Sequence, residues 1–270
     1  MEVKKKKQQK PQKVQKPYLT GAMMDRTVMP GALKFFFSTV VMVFAFVMIG
    51  VMMTWDNKLL SIVINSVILF TAWLIFYQSG AATGADAVNQ GEIMYQRREK
   101  GRPVADWEQQ LCYHPLKGFV TGLIGSIPLV LCSVVFALIT QRQMTNLGTL
   151  PSWLTSLETR PEIGGALQYY HASGSMTLES ALRLIIRMST MPYVNMIGAA
   201  DKDAMLVLER ISPMLNLIPA LVYGLGYMGG VQVRSAVHTN IALGKKKAKR
   251  KQRKERKARQ QTHRGPEQLN

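Results

Sequence analysis

Four stretches of this chain, residues 35–53, 59–77, 119–139 and 211–230, contain no Asp, Glu, Lys or Arg and are built largely from Val, Ile, Leu, Met and Phe. Each is close to the roughly 20 residues that a helix needs to cross a hydrocarbon core about 30 Å thick. Inside that core the backbone must satisfy its own hydrogen bonds, so a segment of this length crosses as a helix. The pattern predicts an all-α integral membrane protein with four transmembrane helices. Pro128 in the third stretch, and Pro213 and Pro219 in the fourth, predict kinks whose freed carbonyls find other partners.

Charge divides the chain into three parts. Residues 1–34 hold nine Lys/Arg against two acids and residues 234–270 hold thirteen against two, which accounts for the whole net charge of +18. The membrane domain between them, residues 35–233, is neutral. Both tails are too charged and too poor in apolar groups to bury a core, so they are expected to stay disordered. An excess of Lys and Arg marks the cytoplasmic side. That rule puts both termini and the loop 78–118 inside, and the segment 140–210 outside. The loop's centre, residues 92–100, reads as a charged helix ended by Gly101 and Pro103. The basic lead-in and the long first run argue for a retained anchor rather than a cleaved signal.

The segment at residues 178–191 is the ambiguous one. Glu179, Arg183, Arg187 and Thr190 recur at helical spacing and form one polar stripe, while Leu178, Leu182, Ile185, Ile186 and Met188 cover much of the rest. As a fifth span it would carry two arginines to depth and move the basic C-terminal tail outside, against the charge rule. The expectation is an external helix that lies in the interface or turns back at Pro192. Glu209 and Arg210, just before the fourth span, read as local ion pairing at the same interface.

Small residues recur at intervals of four: Gly118, Gly122 and Ser126, then Gly226 and Gly230, and Gly80 and Gly84 beyond the second span. Such faces let helices approach closely. Packing within the chain is the favoured reading, docking on a partner subunit the other. The intramembrane polar residues Asn65 and Asn216 are candidates for hydrogen bonds between helices. The absence of any carboxylate, Lys or Arg in the four stretches argues against a proton-coupled pump.

Chemistry-bearing patterns are missing. Cys112 and His114 make a single pair, too few for zinc, and Cys112 and Cys132 read as free thiols. His171 and the Ser173-Gly174-Ser175 run fit no hydrolytic arrangement, and the GxSxG, HExxH and phosphate-loop motifs are absent. The expectation is therefore a protein that is not an enzyme and uses no cofactor and no metal. Its strongest patch is Lys245, Lys246, Lys247, Lys249, Arg250, Lys251, Arg253, Lys254, Arg256, Lys257 and Arg259. Anionic lipid is the favoured contact for this patch. Nucleic acid or the ribosome is the leading alternative, although no Phe, Tyr or Trp follows Ser235 to stack bases. A non-enzymatic accessory or scaffold subunit in a bacterial plasma membrane is the first expectation, with a protein partner or a homo-oligomer. A small oligomeric transporter or channel component is the second, and a tether for ribosomes or nucleic acid the third.

Overall fold

The computed structural model of the chain describes residues 15–52, 57–140, 178–198 and 201–263, together with residues 157, 160 and 163. Helices dominate them: α1 (Val28–Met52), α2 (Lys58–Glu99), α3 (Asp106–Gln110), α4 (Lys117–Ile139), α5 (Leu178–Ser189), α6 (Met191–Ile197), α7 (Lys202–Met228) and α8 (Gly230–His263). No strand occurs among the described residues; the only extended pairing there is the isolated bridge between Thr20 and Tyr113. The protein is all-α, with four helical stretches long and apolar enough to cross a membrane, one each in α1, α2, α4 and the α7–α8 run.

Helix ends follow local chemistry. Asn57 caps α2, its Oδ1 accepting the N–H of Leu59 at 3.1 Å. No proline stands between the apolar stretch and the polar one beyond it, so α2 runs on for 42 residues through Gly80, Gly84 and Gly91. The separate loop helix expected at residues 92–100 is therefore the last part of the second spanning helix. Its stop is a Schellman turn. Gly101 adopts φ 71°, and the N–H groups of Gly101 and Arg102 donate to the carbonyls of Arg98 and Arg97.

The fold divides into two compact units. The first gathers residues up to Asp25, Gln78–Gly118 and the chain from Leu225 onward; the second holds Arg26–Tyr77 and Phe119–Gly224. In the second unit Phe35, Phe76, Ala220 and Tyr223 form a buried cluster, with the Phe35 ring 5.5 Å from Phe76 and 5.2 Å from Tyr223. Glycine makes the close approaches there. A Cβ on Gly125 would lie 2.5 Å from the carbonyl oxygen of Ala32, and one on Gly122 would lie 2.9 Å from that of Ala220. The short helices α5 and α6 pack on α1.

The first unit is built from three separated stretches of sequence. Residues 15–25 run extended: Leu19 N–H donates to the Gly91 carbonyl and Gly21 N–H to that of Tyr113. Tyr113 stacks on Tyr227 at 5.5 Å with 6° between the rings, Tyr18 meets Tyr113 edge-on, and Val88 completes the core. Asp25 accepts from Lys117 Nζ at 2.6 Å, both side chains nearly inaccessible.

Residues 15–34 and 234–263 of the tails depart from the expectation of disorder, whereas residues 1–14 and 264–270 lie outside the described residues. In the N-terminal tail Tyr18 joins the aromatic cluster and Asp25 finds a buried cation, although most side chains of residues 15–27 are exposed. The C-terminal segment is helical to His263. Lys, Arg, Ala, Gln and Glu are strong helix formers, and the preceding helix supplies the nucleus that an isolated peptide would lack.

Candidate functional site

Glu92 is the centre of the first unit's polar chemistry. It lies on α2 with only 4% of its surface exposed. Arg234 and His238, one turn apart on α8, both reach it. Arg234 donates from Nε at 3.2 Å and from Nη2 at 3.1 Å to Oε2, and its Nη2 also donates to Asn89 Oδ1. His238 Nε2 sits 2.7 Å from Oε1 and 2.9 Å from Oε2. Lys16 and Tyr18 line the same cleft. One carboxylate thus clamps two consecutive turns of α8.

Glycines set the register of that clamp. A Cβ on Gly84 would lie 2.2 Å from the Tyr227 carbonyl oxygen, and one on Gly230 would lie 2.4 Å from the Gly84 backbone. Contacts advance together along both helices, from Gly84 with Gly230 to Glu92 with Arg234 and His238, so the two run parallel. Tyr113 braces the start of α8, its hydroxyl donating to the Met228 carbonyl at 3.2 Å. Helical bonding passes across Gly229, whose N–H donates to Leu225 and whose carbonyl accepts from Val233. α2 stops at Glu99, whereas α8 continues to His263. The cations Lys245, Lys246, Lys247, Lys249, Arg250, Lys251, Arg253, Lys254, Arg256 and Lys257 lie on that continuation, and every side chain from Ile241 to Lys257 is exposed. Arg259 is on the same helix, its side chain outside the described residues. Glu255 is the one acid in the described arm, 4.0 Å from Lys251.

A second ionic centre lies in the second unit. Glu209 on α7 is 3% exposed. Arg187 reaches its Oε1 from Nη2 at 2.7 Å and from Nε at 2.9 Å, Arg183 Nε lies 3.3 Å from the same oxygen, and Thr140 Oγ1 donates to Oε2 at 2.7 Å. Arg183 also pairs with Glu179 at 2.8 Å and rests over the Phe136 ring. The polar stripe on α5 is therefore turned onto a buried carboxylate. Glu209, read from sequence as part of a local surface pair, draws its partners from α5 and the end of α4.

The small residues Gly80, Gly84, Gly118, Gly122, Ser126, Gly226 and Gly230 are all buried, Gly118 against the Tyr227 ring. Asn216 Nδ2 donates to Ser133 Oγ at 2.6 Å, joining α7 to α4. Asn65 donates to the Ser61 carbonyl one turn back on its own helix. The two asparagines do not share a site. Asn216 borders a cavity of about 40 Å³ with Thr39, Trp73, Thr190 and Tyr193.

Cys112 is fully buried, its thiol directed at the Glu108 carbonyl. Burial pushes its pKa above 9.0, with the nearby Lys117 ammonium pulling partly the other way. His114 Nδ1 accepts the Leu116 N–H. Among the described residues no three His, Cys, Asp or Glu side chains gather as a metal site. His171 and Ser173–Ser175 lie outside the described residues. Sequence reasoning passed over Glu92, Arg234 and His238 as a set. The available signal was an Arg and a His four apart in the Val- and Ala-rich stretch after the fourth span, with Asn89 and Glu92 three apart on α2. No protein-family profile matches the chain, and no curated protein or solved structure matches it either.

Proposed function

We propose that this protein is a non-enzymatic membrane scaffold that holds a rigid cationic arm, α8, for an anionic partner. The carrying observation is the clamp: Glu92 binds Arg234 and His238 at the base of a helix whose far end presents ten exposed cations. A buried carboxylate spent on fixing a helix has a use when that helix must point somewhere. The basic tails support a plasma-membrane location, in a bacterium, with both termini in the cytoplasm. Buried small residues support tight packing of the helices among themselves, which leaves the exposed apolar sides of α1, α2 and α4 for lipid, another subunit or a second copy.

A transport pathway has less in its favour. Asn65 is satisfied within its own helix, and the polar space beside Asn216 has room for little more than water. The scaffold reading is tested with full-length protein and a chain ending at Gly244, both reconstituted in zwitterionic nanodiscs and applied to immobilised heparin as a generic polyanion. Retention of the full chain and loss of retention on truncation, with helical content and elution volume otherwise normal, is the expected result. Equal behaviour of the two chains would remove the arm from the account.

A further inference from the structure

We infer that the partner of the α8 arm is the phosphate backbone of double-helical nucleic acid, bound without regard to sequence. This rests on the scaffold reading and names the arm's partner. At about 100° per residue, the ten described cations between Lys245 and Lys257 sweep about 240° of the helix circumference. Lys245, Lys249 and Arg256 occupy one side; Lys247, Lys251 and Lys254 occupy the opposite side. A helix lying on a flat anionic surface brings at most about half its circumference within reach of that surface. A helix seated between two phosphate ridges is faced by charge on several sides, and a major groove about 12 Å wide admits one α-helix.

Three further observations favour the groove over the bilayer. The remaining arc holds Ala248, Gln252 and Glu255, with no large apolar side chain to insert among acyl chains. The helix is also not free to roll. Arg234 and His238 are fixed to Glu92 on the same side of α8 as Lys245, Lys249 and Arg256, so a flat surface would meet one predetermined face. Among the described residues the arm has no companion helix. Lys245 lies as far beyond His238 as Glu99 lies beyond Glu92, so the cations begin level with the end of α2 and are open all round. The absence of aromatic residues after Ser235 points to paired strands, since single strands are held by stacking. Duplex RNA offers the same phosphate chemistry but a deep, narrow major groove, so the groove argument points to duplex DNA, and the experiment separates the two.

Full-length protein in phosphatidylcholine nanodiscs is titrated with a short fluorescent RNA duplex, and in parallel with a DNA duplex of the same sequence. Competitors are vesicles of equal parts phosphatidylglycerol and phosphatidylcholine. The triple variants K245Q/K249Q/R256Q and K247Q/K251Q/K254Q, and the chain ending at Gly244, are measured alongside. The expected result is duplex binding that weakens about 10³-fold between about 50 and 200 mM salt, as for some six phosphate contacts. Both triple variants should weaken it by similar factors, truncation should abolish it, and vesicles at matched charge should compete poorly. Tighter binding to RNA or to DNA identifies the source. Vesicles that displace the duplex, or a loss confined to one triple variant, would overturn the nucleic-acid assignment while leaving the arm a lipid contact. Binding to neither probe alongside retention on heparin would also overturn it. Loss of heparin retention by the full chain would sink the scaffold reading itself.

Discussion

Replacing Glu92 with Gln removes one negative charge from the base of α8 and changes the shape of the side chain very little. Breaking a buried ion pair by neutralising one member costs about 3–5 kcal/mol when the other charge is stranded. Here the stranding is partial. Arg234 keeps Asn89 Oδ1 as an acceptor and has a side chain 25% exposed, and a glutamine still offers His238 one hydrogen-bonding atom. The expected cost is therefore lower, about 2–3 kcal/mol. It should be felt locally, because Glu92 ties α2 to the first turns of α8 and to nothing beyond them. Hydrogen exchange reads this directly, since amides that open locally exchange in proportion to the opening equilibrium. Amides of residues 231–241 should exchange about 30- to 150-fold faster in Glu92→Gln, at about tenfold per 1.4 kcal/mol. Those of α1 and α5 should not change. A double-mutant cycle with Arg234→Gln should return a coupling energy above about 1 kcal/mol, as for residues sharing one network. If exchange in residues 231–241 rises less than about threefold, or the cycle is additive, then Glu92 does not clamp the arm.

Three other outcomes are expected. Glu209→Gln strands Arg187 against a neutral group while Arg183 keeps Glu179, and should destabilise the seating of α5 by about 2–3 kcal/mol; limited proteolysis near residues 178–198 measures it, and unchanged cleavage would contradict the burial of the Arg187–Glu209 pair. Gly84→Val places a side chain into the Tyr227 backbone, so it should cost more than the roughly 1–3 kcal/mol of ordinary overpacking and broaden or shift the size-exclusion peak. Cys112 has a folded pKa raised above the 9.0 of a free thiol, so its contribution to stability is complete below pH 9 and is lost as pH rises through the higher folded value. Alkaline unfolding should accordingly move to higher pH in Cys112→Ala, and maleimide should leave Cys112 unlabelled at neutral pH in the folded protein.

What was legible in the sequence was whatever depends on one segment at a time. An uncharged run of about twenty residues specifies a spanning helix with no knowledge of its neighbours. Glycines at intervals of four mark faces where backbones can meet, although the sequence does not name the surface that fills them; for Gly84 and Gly118 that surface is Tyr227. Illegible features depend on distant partners. Glu92 lies 142 residues from Arg234 and 146 from His238, and Glu209 meets Thr140 across 69. A lone charge on a helix reads as solvated until its partner is known, and the polar stripe on α5 does not by itself name the carboxylate it meets. The order in the described parts of the tails is illegible for a related reason. Net charge argues against a core, but residues 15–25 borrow theirs from Tyr113 and Val88, and α8 requires only a preceding helix to extend.

The three-part origin of the first unit has a consequence for biosynthesis. The strap at residues 15–25 and the polar half of α2 are translated early, but the ring that stacks on Tyr113 and the two side chains that bind Glu92 arrive only after residue 225. Ribosomes add about 5–20 residues per second, so for several seconds the nascent protein holds a carboxylate and an aromatic shelf without their counterparts. Closure must wait until Leu225 and the residues after it have left the exit tunnel. At that moment the basic residues that follow on α8 are the next to emerge, so the arm leaves the ribosome just as its own base is being fastened.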